Sequence, residues 1–130
     1  MDPVVHFEMP RKDAKRVSKF YRKAFGWKMK TLGGGMGSYV LATTTESDQK
    51  TGRPKSPGVI NGGFFELDES KPGQVPSVVI GVKSIKESMK KVTQAGGKVL
   101  GKPMEIPGVG LYVSFYDTEG NRISLLQPKM

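Results

Sequence analysis

Near the start of the chain, polar His6 and Glu8 alternate with apolar Val5, Phe7 and Met9. Residues 4 to 9 therefore read as a short strand with His6 and Glu8 on one face. Pro10 to Asp13 read as a turn, with Asp13 placed to cap a helix whose first N–H groups lack partners. Ala14, Val17, Tyr21 and Ala24 recur at spacings of three and four, which puts them on one helix face, and Gly26 supplies the stop. Three strands are expected next: Lys28 to Leu32, Ser38 to Thr43 and Gly58 to Glu66. Gly33, Gly34 and Gly35 turn the first into the second. Thr44 to Pro57 is polar and contains Gly52, Arg53 and Pro54, the composition of a mobile loop. Asn61-Gly62-Gly63 inside the third strand predicts a bulge or a close backbone approach.

Leu67 to Pro76 reads as a linker, after which the same order repeats. Ser77 to Val82 is a valine-rich strand. Ser84-Ile85-Lys86-Glu87 has the form of a capping box, and Ile85, Met89, Val92 and Ala95 supply an apolar helix face ended by Gly96-Gly97. Lys98 to Leu100, Leu111 to Tyr116 and Arg122 to Gln127 follow as strands, the last two joined by a turn at Thr118-Glu119-Gly120-Asn121. The expectation is an α+β chain of two tandem βαβββ units, about 3–66 and 77–128, in a single domain of 130 residues.

Composition narrows the chemistry. No stretch approaches the ~20 apolar residues of a membrane span, and no leader resembling a signal peptide opens the chain. The absence of cysteine excludes disulfides, thiolate metal sites and thiol catalysis, and fits the cytoplasm. With His6 the only histidine, a histidine-rich metal site is excluded as well. The net charge of +9 invites a basic nucleic-acid-binding adaptor as one reading. Its lysines and arginines are spread along helix faces without an RNA-binding aromatic signature, so a solvated basic face is preferred. Gly33-Gly34-Gly35 opens no helix and lacks the lysine and hydroxyl of a phosphate loop. Lys50, Arg53 and Lys55 on the polar loop favour an anionic ligand beneath it.

Two segments carry a resemblance. Val5-His6-Phe7-Glu8, Lys19-Phe20-Tyr21 and Phe25-Gly26-Trp27, together with the closing run Phe115 to Gln127, resemble the glyoxalase, bleomycin-resistance and extradiol-dioxygenase superfamily, the vicinal oxygen chelate proteins. The resemblance covers nearly the whole chain. It implies a cup-shaped mixed sheet with helices on its outer face, often completed by a second subunit, and so a homodimer. It also implies a divalent-metal site at positions that fall on His6, near Asn61, near Ser77 and at Ser124. Of these only His6 is a good ligand, because amide and hydroxyl groups lack the charge and basicity a divalent ion requires. No metal and no other cofactor is therefore expected, unless Glu8 or Glu66 supplies a carboxylate from outside the aligned set.

Without a metal, His6 and Glu8 are the reactive pair. A neighbouring carboxylate would favour the charged imidazole and orient it, so the two could serve as general acid and base. The competing reading is a satisfied core histidine beside an ion-paired Glu8. Asn61, Ser77, Tyr112 and Ser124 are read as ligand-orienting groups, with Trp27, Phe64, Phe65, Tyr112 and Phe115 as an apolar wall. The preferred function is a metal-free small-molecule-binding protein. A lyase or isomerase resembling glyoxalase I, using His6 and Glu8, is the alternative. Extradiol dioxygenase chemistry ranks last, since it needs two histidines and a carboxylate on iron.

Overall fold

The computed structural model describes residues 1–33 and 38–129. Gly34 and Gly35 of the expected glycine turn lie outside them. The chain forms two compact units: His6–Pro76, and Ser77–Met130 together with Met1–Val5.

In the N-terminal unit, β1 (Val4–Arg11) from His6 on, β2 (Lys28–Thr31), β3 (Val40–Thr43) and β4 (Asn61–Glu66) carry α1 (Ala14–Phe25). Strand β4 pairs antiparallel with β3 and parallel with β1, and β2 pairs with β3 at the edge. Asp13 caps α1 by accepting the Arg16 N–H, and Gly26 ends it in the left-handed conformation. Val40, Ala42 and Phe64 form the core under this helix, with Met9, Val17 and Tyr21 packed against them. Pro10 and Arg11 belong to β1 rather than to a turn. They lie opposite Phe65 and Glu66, and the Leu67 N–H donates to the Arg11 carbonyl, so β4 holds the strand in extended form.

In the C-terminal unit, β5 (Ser77–Gly81), β6 (Lys98–Ile106), β7 (Gly110–Tyr116) and β8 (Arg122–Pro128) carry α2 (Ile85–Gln94). Strand β8 runs parallel to β5 and antiparallel to β7, which pairs with β6. Ser84 caps α2, and Gln127 Oε1 accepts the Ile85 N–H, fastening the helix start to β8. Ile85, Val113 and Leu125 centre the core. Strand β6 outruns the expected Lys98 to Leu100 because its register shifts between Leu100 and Met104, where Gly101 takes a positive φ and breaks the apolar alternation.

Met1–Val5 cluster with the second half. The Gly81 N–H donates to the Pro3 carbonyl, and Gly81 leaves room for Val5 against the backbone. Two helices and eight strands among the described residues make the chain α+β. No helix among the described residues is long and apolar enough to cross a membrane.

Candidate functional site

Strand alternation sorts the candidate residues onto faces. In the N-terminal unit, Phe7, Met9 and Phe64 face α1, so His6, Glu8, Asn61, Gly63 and Phe65 share the helix-free face. In the C-terminal unit, Val113, Phe115 and Leu125 face α2, so Tyr112, Ser114 and Ser124 share the other side, as does Ser77, two residues before the Ser124 partner Val79. Trp27, Phe64 and Phe115 are core residues rather than pocket wall. Trp27 stacks on Tyr21 at 4.6 Å, and Phe64 and Phe115 lie in the clusters under the helices.

His6 and Glu8 are joined through a third residue. The Tyr39 hydroxyl lies 3.0 Å from His6 Nε2 and donates to Glu8 Oε2 at 3.3 Å. Gly63 makes this possible: a Cβ there would fall inside van der Waals contact with the Tyr39 hydroxyl and ring. The close approach expected at Asn61-Gly62-Gly63 is thus a side-chain approach, with Phe7 over Gly62 and Tyr39 over Gly63. Arg11 holds the chain just before Tyr39, its Nη2 donating to the Ser38 carbonyl at 2.7 Å, while the Leu32 N–H donates to the Tyr39 carbonyl at 2.8 Å.

Burial pushes the His6 imidazole down from 6.5 to about 4. The imidazole is therefore neutral at pH 7, which corrects the expectation that Glu8 would favour its charged form; desolvation outweighs the carboxylate. With the Tyr39 proton given to Glu8, the phenol oxygen accepts from His6 Nε2–H and Nδ1 carries the lone pair. Glu8 itself is buried, only 8% exposed.

Asn61 is an anchor for the polar loop. Its Oδ1 accepts the Thr44 and Thr45 N–H groups at 2.8 and 3.1 Å, and its Nδ2 donates to Ser47 Oγ at 2.9 Å. The loop is a small hairpin closed by the Ser47–Pro54 bridge. Asp48 Oδ1 accepts two N–H groups inside it, and these bonds hold the Asp48 carboxyl below its ordinary range. This internal bonding replaces the expected unstructured loop.

In the C-terminal unit, Ser124 is 3% exposed and its hydroxyl is shared with Tyr112 at 2.6 Å and Ser114 at 3.0 Å. Ser77 opens β5 half-buried.

The donors do not suit the metal site that the resemblance implies. Asn61 Oδ1 already accepts two backbone N–H groups, and Ser124 is neutral and engaged. Glu66 has the strand parity of Phe64, opposite to Glu8, and so cannot join His6 and Glu8 on their face. Among the described residues no three His, Cys, Asp or Glu side chains gather as a metal site would require.

Sequence reasoning missed Tyr39 and Ser114. The signal for Tyr39 was present in the Gly62-Gly63 doublet, which asks for a ring from a neighbouring segment.

A fold of this kind, with polar groups on the helix-free side of each unit, defines the class. The chain belongs to the Glyoxalase/Bleomycin resistance protein/Dioxygenase superfamily, whose family model matches residues 4–125. A glyoxylase-like domain-containing protein from Didymella fabae is 32% identical over 117 residues, covering 88% of this chain and 84% of that protein. Among solved structures, methylmalonyl-CoA epimerase from Mycobacterium tuberculosis superposes with a TM-score of 0.69 at 14% identity, covering 98% of this chain and 88% of the other. A Streptomyces coelicolor methylmalonyl-CoA epimerase in complex with 2-nitronate-propionyl-CoA gives 0.71 at 16% identity, covering 98% and 97%. At these identities the two epimerases share the fold.

Proposed function

We propose that this chain is a small-molecule-binding member of the superfamily that holds its ligand without a catalytic metal, on the His6–Tyr39–Glu8 face of the N-terminal unit. The observation that carries the reading is the neutral, buried imidazole tied through one phenol to a buried carboxylate. A base with a pKa of about 4 has little affinity for a proton at neutral pH. The same nitrogen is a good hydrogen-bond acceptor in a low-dielectric setting. His6 Nδ1 is suited to accept from a ligand hydroxyl or amide, and the positive net charge favours an anionic molecule. A homodimer belongs to the same reading.

A thermal-shift panel of small carboxylates and acyl-CoA thioesters, run with and without divalent ions, tests it. A ligand that raises the unfolding midpoint without added metal, and does so less for Tyr39→Phe, supports the assignment. Shifts seen only with a divalent ion would overturn it.

A lyase or isomerase is the second reading, favoured by the placement of Glu8 within one phenol of His6. In that case Glu8 takes the substrate proton, Tyr39 gives its own proton to the carbanion, and Glu8 reprotonates Tyr39 across their hydrogen bond. Solvent deuterium entering an epimerisable acyl thioester, and lost in Glu8→Gln, would distinguish catalysis from binding.

A further inference from the structure

Residues 11–30 contain nine of the 21 lysines and arginines but one of the 12 aspartates and glutamates, and so hold eight of the nine net positive charges. The stretch is Arg11, α1 and β2. Arg11 is buried, whereas Lys12, Lys15, Arg16, Lys19, Arg22, Lys23, Lys28 and Lys30 are all exposed. The ion pairs Lys55–Glu46, Lys71–Asp68 and Lys90–Glu87 lie outside this stretch. The basic residues read as a solvated helix face are thus concentrated in one stretch.

One aromatic side chain stands among these charges: Phe20, 57% exposed, whereas Phe25 lies on the Tyr21 side of the helix against Tyr21 and Trp27. Helix α1 already has an apolar face, which Ala14, Val17 and Tyr21 bury in their own unit. Phe20 lies off that face, between Arg16, Lys19 and Lys23, which line one shallow depression with it.

We infer that the outer face of α1 docks on an anionic membrane surface, with the lysines and arginines against lipid headgroups and Phe20 dipping into the interface. Charge complementarity argues for an anionic partner and against a second copy of the same face, which would oppose like charges. A cluster of basic residues on a helix attracts anionic lipid, and aromatic residues favour the headgroup level. Phe20 is the one ring in the shallow depression, and a single ring is no stacking platform for successive bases of a nucleic-acid strand. The inference stands apart from the ligand-binding reading, since α1 packs on the face of β1 and β4 opposite to His6 and Glu8.

The test is co-sedimentation of the full chain with vesicles of phosphatidylcholine alone or with about 30% phosphatidylserine, a composition that gives the negative surface potential such faces respond to. Binding only to the anionic vesicles, falling as salt rises, is expected. Lys19→Glu with Lys23→Glu should lower the bound fraction about tenfold or more, while Phe20→Ser lowers it several-fold and leaves the circular dichroism unchanged. Lys86→Glu with Lys90→Glu on α2 controls for net charge and should cost much less. Equal binding to neutral vesicles, no binding to either, an equal loss from the α2 reversal, or binding to a single-stranded RNA oligomer without vesicle binding would each overturn the inference.

Discussion

The Tyr39 hydroxyl can lie 3.0 Å from His6 Nε2 because Gly63, beneath the phenol ring, has no side chain. Gly63 is opposite Glu8 in the β1–β4 register, so one missing Cβ sets where the ring sits between His6 and Glu8. Gly63→Ala therefore displaces Tyr39 and should cost about 1–3 kcal/mol, the usual range for overpacking. Chemical denaturation of Gly63→Ala, Tyr39→Ala and the double variant checks it. The double variant should be well below additive, since removing the ring removes the clash.

Burial of a neutral His6 makes stability depend on pH in a defined window. The folded-state pKa of about 4 lies below the ordinary 6.5, so the unfolded chain binds the proton more readily. Stability from this group is complete above pH 6.5 and is lost as pH falls toward 4. Between pH 7.5 and pH 5 the loss should be about 2 kcal/mol, from 1.36 kcal/mol per unit of pKa difference. Asp13, Asp48, Asp68 and Asp117 have lowered carboxyl values and titrate below this window. Urea unfolding at the two pH values should show the slope in the native protein and a flat response in His6→Gln.

Most of the fold was legible in the sequence because its signals are local. Asp13, Gly26 and Ser84 mark helix ends by their own chemistry, and the alternation around His6 and Glu8 gave their shared face correctly. Tyr39 was not legible. It precedes β3, 31 residues from Glu8, and its role depends on a glycine in a third strand. Asn61 was read as a ligand group because a lone amide in a strand gives no sign of which backbone it will serve. The hydroxyls of half-buried Tyr112 and buried Ser124 were each noted, but their meeting through the β7–β8 register was not.

Arg11 is a positioning residue for Tyr39, acting through the Ser38 carbonyl. Arg11→Met removes that bond and should cost about 1–3 kcal/mol, because a hydrogen bond from a buried charged donor is lost. A merely structural role would end there. Positioning adds a second effect: the His6 ring signals should move in Arg11→Met toward their values in Tyr39→Phe, as nuclear magnetic resonance of the variants would show.

Metal independence is expressed as an elemental measurement. Protein purified without a histidine tag should carry much less than one equivalent of zinc, iron, nickel, cobalt or manganese. Prolonged chelation should leave its unfolding midpoint unchanged. A stoichiometric ion released only by chelator, with loss of ligand binding, would refute the metal-free reading.

His6 is the only histidine in the chain, so its imidazole signals need no assignment by elimination. The most direct test of the His6–Tyr39–Glu8 arrangement is a nitrogen-15 titration of that ring in the native protein and in Tyr39→Phe. The native ring should stay neutral at pH 6, protonate near pH 4, and carry its proton on Nε2. Tyr39→Phe should lose the fixed tautomer. A native ring that titrates near 6.5 with mixed tautomers, unchanged in Tyr39→Phe, would contradict the account.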